Sequence, residues 1–382
     1  MKYIIIFVFI NNTLFSQIQS LIHSNPSIDK YFGKKIIDDY QNLENIKDSS
    51  VIHWMKEQND YSNAILQSIP NRQYLIDKLG EMDSKKEFSI THLQVTNNST
   101  YFYIKRNSTE NSQKLYIRDG YSGKEELLFT SVEYKKNKEY VINYIKPNND
   151  GSKIVVALTE GGKEIGEMII IDTKKKTILP YTISNCWPSD GGGVSWLPKG
   201  DGFIYLHYPI IDNNSELFLK NMVAVLYKIG DEPEKLHPIL SKKEYPELSL
   251  KGEDFPMVSI NKNNPNYLIG KVGGATNFGD SYYTHLSELN NKHISWKILY
   301  KKEDKIVDYT LINDDIYYIT AKSSKNNFVA RTSLKHPNFS HSEIIINEMK
   351  DEVIETIYST KEGIFITTTK NGVEAKLYLE PV

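Results

Sequence analysis

The amino-acid sequence predicts an all-β protein, a β-propeller, preceded by a short α-helical N-terminal segment. Three observations carry this reading. Beyond Gly80, short runs rich in Ile, Val, Tyr and Phe alternate with turns of Asn, Asp, Gly and Lys, the composition of pleated strands joined by tight connections. Polar turns that open a fresh group of strands stand at Asn98, Asp150, Asp201, Asn264, Asp314 and Gly363, spaced by 52, 51, 63, 50 and 49 residues. A repeat of that length holding several short strands is the mark of propeller blades. Helical periodicity, finally, is confined to the stretch ahead of the repeats. A β-sandwich with evenly spaced hairpins is the alternative for the same pattern.

Met1-Lys2-Tyr3 precedes Ile4-Ile5-Ile6-Phe7-Val8-Phe9-Ile10, and Asn11-Asn12-Thr13-Leu14-Phe15-Ser16-Gln17 follows. One basic residue, a short apolar run and a small or polar tail make the layout of a secretory signal peptide over residues 1–17. A buried β-strand is the other reading of that run. A periplasmic or secreted location is expected, with no membrane span, since no later segment reaches the ~18 apolar residues of a membrane helix. Residues 18–80 form the expected helical segment. Over residues 48–66, Val51, Trp54, Met55, Gln58, Tyr61 and Ile65 recur at three- and four-residue spacing, which places them along one helix face. Asp48 and Ser49 are suitable N-caps, because their side-chain oxygens can accept from orphan backbone N–H groups. Pro70 fits the first turn of a second helix through Leu75, Ile76 and Leu79 that closes near Gly80. The propeller is expected over 81–382, with its clearest strands at 101–105, 153–158, 168–172, 203–208, 222–229, 267–272, 316–321, 328–333, 364–369 and 375–379.

Composition narrows the chemistry. The 46 Lys and Arg nearly balance 48 Asp and Glu, for a formal charge of −2, so no global basic field exists to hold nucleic acid. The run Lys174-Lys175-Lys176 reads as a solvated turn. With Cys186 as the single cysteine, intrachain disulfides and cysteine-based zinc sites are excluded, and Cys186 itself reads as a small buried hydrophobe. None of the nine histidines has a compact metal spacing, and His207 reads as a satisfied sheet residue. Gly161-Gly162 and Gly273-Gly274 lack the strand–turn–helix setting of a phosphate cradle and read as hairpin turns. No metal or cofactor is expected. A nucleophilic hydrolase needs its serine on a glycine-flanked elbow. The nearest string, Gly193-Val194-Ser195-Trp196-Leu197, lacks the second glycine, so Ser195 reads as a strand residue and no catalytic residue is expected within the chain. The most unusual loop is Asn185-Cys186-Trp187-Pro188-Ser189-Asp190-Gly191-Gly192-Gly193. In it Trp187 either packs between blades or offers a flat apolar ring to a ligand.

Asp39-Tyr40, Leu43-Glu44, Val51, Trp54, Gln58-Asn59 and Arg72 resemble the lead segment of prolyl oligopeptidase-family serine peptidases, in which a D-P-Y-R-W-L-E stretch enters a helix carrying W and Q-N. The resemblance continues through Asn149-Asp150-Gly151-Ser152-Lys153, Glu160-Gly161-Gly162-Lys163-Glu164, Asp172-Thr173, Trp196-Leu197-Pro198 and Gly202-Phe203-Ile204-Tyr205, similar to that family's second and third blades. Here Asp39 stands where the family has Pro, and Gln41 and Asn42 where it has Arg and Trp. The resemblance implies a seven-bladed propeller joined to a C-terminal α/β-hydrolase domain holding the Ser, Asp and His. This chain would then carry about five to six of the seven blades, truncated, without the hydrolase domain, which would be supplied in cis or as a separate chain. It also implies cleavage of short peptides after proline or at a related site, with the propeller as a gate. Trp187 is the implied substrate-facing aromatic, and Trp54, Tyr61 and Ile65 are the residues expected to pack against the hydrolase domain. A free-standing propeller that binds a protein or peptide without chemistry is the alternative.

Overall fold

The structure, a computed structural model, describes residues 24–381; the expected signal peptide lies outside them. The chain divides into two compact units, with the boundary between Glu87 and Phe88.

The first unit opens with a feature that the helical reading of residues 18–80 lacked. An antiparallel hairpin pairs Ser27–Tyr31 with Lys34–Asp38. Its turn is Phe32-Gly33, both at positive φ (50° and 80°), a conformation that glycine adopts without steric cost. Helix α1 follows over Ser49–Ser68, and Asp48 caps it by accepting the Ser50 N–H at 2.8 Å. Helix α2 spans Arg72–Ser84. Pro70 therefore lies ahead of the helix rather than in its first turn, because Asn71 takes the cap position at φ 65°. Nor does α2 stop at Gly80. Lys78 and Lys85 both pair with Glu81 one turn away, an arrangement that supports helix on either side of an unfavourable glycine.

The second unit is a succession of antiparallel blades that follow the sequence repeat, two of them joined in one sheet. The first blade is Phe88–Val95, Thr100–Asn107, Lys114–Asp119 and Glu126–Thr130. The second (Tyr140–Pro147, Lys153–Glu160, Gly166–Asp172) and the third (Ser195–Trp196, Gly202–His207, Val223–Lys228, His237–Leu240) share one sheet. Strand Ile183–Cys186 pairs with Gly166–Asp172 on one side and Gly202–His207 on the other. The fourth comprises Phe255–Asn261, Asn264–Gly273, Ser281–His285 and Lys297–Tyr300, and the fifth Ile306–Ile312, Asp315–Thr320, Phe328–Ser333 and Glu343–Ile346. The sixth has three strands, Val353–Ser359, Ile364–Lys370 and Glu374–Glu380, and among the described residues no strand pairing joins it to the first, so the ring of sheets is not closed.

Hydrophobic burial explains why the second strands read as continuous apolar runs. The second to fifth blades are each covered on both faces, so the pleat sends alternate residues to opposite neighbours. Ile154 and Val156 pack toward Phe102 and Leu115 of the first blade, whereas Val155 and Ala157 pack toward Phe203 and Val225 of the third. Leu268 and Ile269 divide in the same way between the third and fifth blades. Likewise Ile316 and Tyr318 face the fourth, and Tyr317 and Ile319 face Ile364 and Ile366 of the sixth.

Polar side chains at the turns then tie blade to blade. Asn98 Nδ2 donates to Asp150 O at 3.1 Å, Asn149 Nδ2 to Pro198 O at 3.3 Å, and Asn264 Nδ2 to Asn313 O. Asn263 Nδ2 reaches past the fifth blade to donate to Ser359 Oγ at 2.6 Å. The turn residues that set the sequence period are thus the fasteners of the array.

Candidate functional site: a lysine-lined cavity on the inner strands

First strands of successive blades hydrogen-bond to one another. Ile260 N–H donates to Ser195 Oγ (2.9 Å), Ile357 N–H donates to Asp308 Oδ2 (3.1 Å), and the Thr310 and Ser359 hydroxyls meet at 2.6 Å. These strands are therefore the innermost, and what they enclose is the propeller's central channel. A cavity of about 450 Å³ opens there across the second to fifth blades. Its polar lining includes Lys146 and Asn149 from the second, Asp190 and Ser195 from the third, Ser259, Lys262 and Lys271 from the fourth, and Tyr309 from the fifth.

Local chain geometry delivers each group. The Asp190-Gly191-Gly192-Gly193 turn lies against two bulky side chains. A Cβ on Gly192 (φ +84°) would stand 3.1 Å from Met257 Sδ, and one on Gly193 would stand 2.8 Å from Tyr144 Cζ. Only a glycine pair lets the loop sit this low and bring Asp190 to Lys146, where the ion pair measures 2.7 Å. Trp196 fixes the other side: its indole N–H donates to Lys146 O at 2.9 Å, joining the third blade to the second. Asp308 sits beside the cavity with its carboxyl pushed above the usual range by burial, against the opposing pull of the Ile357 and Tyr309 N–H donors and of Lys271. Burial likewise pushes the Tyr309 phenol up to about 12. Lys262 is held below the ordinary lysine range by desolvation and then by the charge of Lys146. Among the described residues neither the Lys262 nor the Lys271 side chain makes an ion pair or hydrogen bond, so of the three ammonium groups in the lining only Lys146 is ion-paired, with Asp190.

Trp187 is not in that lining. Its ring stacks on Tyr208 (5.7 Å between centroids) and tilts onto Phe255 (5.2 Å), between the third and fourth blades, and part of it remains exposed. Met257 belongs both to this aromatic cluster and to the cavity wall. Trp54, Tyr61 and Ile65 all lie on α1, the first two half-buried and Ile65 46% exposed. Ser195 occupies strand Ser195–Trp196. A serine–histidine bond does occur at Ser287 Oγ and His285 Nδ1 (2.7 Å), but His285 there caps a short 3-10 turn and both side chains are exposed. Cys186 is buried, with its thiol against Ile183 O at 3.1 Å.

His207 departs from expectation. It is on strand Gly202–His207 and only 9% exposed, yet its Nδ1 has no hydrogen-bond partner among the described residues. Burial pushes its pKa down to about 4, so the folded protein keeps it neutral while the unfolded chain takes up a proton near 6.5. Stability from this group is complete above that value and is lost as pH falls from about 6.5 toward 4. Comparing His207→Phe with the parent in urea titrations, the parent should lose about 3 kcal/mol more over that interval. Parallel pH profiles would contradict the assignment.

Among the described residues no helix is long and apolar enough to cross a membrane, and no cluster of three metal-ligating side chains occurs.

Radial sheets around a charged inner cavity define a β-propeller domain that can receive a small polar ligand. Residues 22–375 match the family model of the prolyl oligopeptidase N-terminal β-propeller domain, and the chain belongs to that family. It is 23% identical over 343 residues to the prolyl endopeptidase of Elizabethkingia meningoseptica, covering 89% of this chain and 46% of that protein. It is 24% identical to the prolyl endopeptidase of Elizabethkingia miricola over 312 residues, 81% of this chain and 42% of the other. A solved prolyl endopeptidase superposes with a TM-score of 0.78 at 18% identity, over 95% of this chain and 52% of that one. Prolyl oligopeptidase B from Galerina marginata gives 0.75 at 16% identity with the same coverage. The chain thus spans about half the length of the relatives it matches.

Proposed function

We propose that this chain is the N-terminal propeller portion of a secreted or periplasmic prolyl oligopeptidase-like serine endopeptidase. In this reading it admits short peptides to a hydrolase domain carried elsewhere, in cis or on a separate chain. The observation that carries the proposal is coverage: residues 22–375 match the propeller model, and the chain spans about half the length of each relative. The inner cavity has the volume of a small-ligand site, which suits entry of short peptides and exclusion of folded proteins. Trp54, Tyr61 and Ile65 on α1 are then the surface that packs on the hydrolase domain. The exposed part of Trp187 offers an apolar peptide side chain a place to rest.

Purification of the native protein from the periplasmic or culture fraction tests this directly. N-terminal sequencing should begin near Gln17, and the chain alone should not release chromophore from a Gly-Pro substrate. Turnover that survives repurification, or an intact Met1 in the cytoplasm, would refute the respective part. A free-standing binding propeller is the second reading, favoured by the cavity's unpartnered lysines. DNA immediately downstream decides between them: G-x-S-x-G with a later histidine supports the peptidase, and an unrelated sequence supports the binder.

A further inference from the structure

The cavity's walls and charges select for one kind of peptide end. Pro147, Trp196, Met257 and Ile260 give it apolar sides, while Lys146, Lys262 and Lys271 bring positive charge to one enclosed space. Asp190 neutralises Lys146 at 2.7 Å. Asp308, beside the cavity, is engaged by two backbone N–H groups at 2.9 and 3.1 Å and feels the charge of Lys271. The Lys262 and Lys271 side chains make no hydrogen bond or ion pair among the described residues, and ammonium groups lining one cavity favour an anion there. Lys262 is held below the ordinary lysine range by burial first and then by the charge of Lys146, against the pull of Asp190. Ser195 Oγ accepts from Ile260 N–H and keeps its own proton to donate. Backbone on one side, apolar wall on the other and cations at the end match a short peptide chain that terminates in a carboxylate.

We propose that the inner cavity binds the free C-terminal carboxylate of short peptides, with Lys262 and Lys271 as its recognising cations and Ser195 as an auxiliary donor. The inference rests on reading the propeller as a passage for peptides, and it adds which end of the peptide the passage holds. A ligand held this way would be oriented with its C-terminus against the fourth blade. Side-chain carboxylates and inorganic anions share the chemistry, so the test must separate them.

Isothermal titration of the whole chain with N-acetyl-trialanine as the free acid, its C-terminal amide, N-acetyl-Ala-Glu-Ala amide and inorganic phosphate makes that separation. The free acid should bind at least about tenfold more tightly than the amide, in keeping with a charge-assisted hydrogen bond. Lys262→Gln with Lys271→Gln should abolish the preference, and Lys262→Arg with Lys271→Arg should retain it. Both lysines are solvent-facing at the cavity, and a thermal melt verifies that the variants fold. Equal binding of acid and amide, no saturable binding of the acid, or a preference unchanged in the double glutamine variant would overturn the proposal. Glutamate-side-chain or phosphate binding as tight as that of the free acid would also overturn it, leaving an unspecific anion site. None of these readouts uses hydrolysis, so the chain could prove to be the inactive half of a peptidase while this inference fails, and the reverse.

Discussion

Trp196→Ala should lower the free energy of unfolding by about 3–5 kcal/mol, the range for removing a buried large aromatic. The ring is buried, meets Phe203 edge-on at 5.1 Å between centroids, and donates its N–H to the Lys146 carbonyl in the neighbouring blade. Truncation removes both the packing and the bond that crosses between second and third blades, and it opens the wall of the inner cavity. Trp196→Phe keeps most of the packing and forfeits the hydrogen bond, so its cost should fall to about 1–2 kcal/mol. Urea unfolding followed by circular dichroism measures both variants. Equal losses would show that the bond to Lys146 carries the cost and that the retained ring packing adds little; no loss for the phenylalanine variant would show that the bond contributes nothing. A loss for the alanine variant below about 1 kcal/mol would contradict its placement in the core.

Gly193→Ala is expected to destabilise by about 1–3 kcal/mol, the cost of overpacking a filled interior. The new methyl would stand 2.8 Å from Tyr144 Cζ and 2.9 Å from its hydroxyl oxygen, and Tyr144 is 1% exposed and cannot swing aside. The loop must lift instead, taking Asp190 away from Lys146. Substituting Tyr144→Leu in the same chain makes room for the methyl. The double variant should therefore be less destabilised than the sum of the singles by at least about 0.5 kcal/mol. Additive losses would mean that the methyl group and the ring do not compete for the same space.

Strands buried on both faces were the easiest to read, because they are runs of uninterrupted apolar residues: 153–158, 203–208 and 316–321 all fall on observed strands. Some strands at the sheet margins were not. Glu343–Ile346 and Glu126–Thr130 mix charge with apolar residues because solvent reaches part of them. Strand Ile183–Cys186 is four residues long inside a polar loop, and nothing local shows that it bridges two blades. The hairpin ahead of α1 hides behind the positive φ of Phe32, a residue seldom found in that conformation. Of the inner cavity, the sequence showed only the unusual Asp190-Gly191-Gly192-Gly193 loop. Lys146, Lys262 and Lys271 lie far apart in the chain and in no motif, and the circular arrangement alone gathers them. Trp187 stands in the unusual loop, whereas Trp196, on a strand, holds the cavity wall. The missing partner of His207 depends on what surrounds it in three dimensions, which residue type and strand periodicity do not encode.

The shared sheet of the second and third blades and the Asn263–Ser359 bond from fourth to sixth divide the array into two blocks that meet along a seam between third and fourth. Ser195 and Ile260 face each other across that seam, at the rim of the lysine cavity. Any occupant of the cavity would rivet the blocks together, and amide-exchange protection should then rise first along the seam.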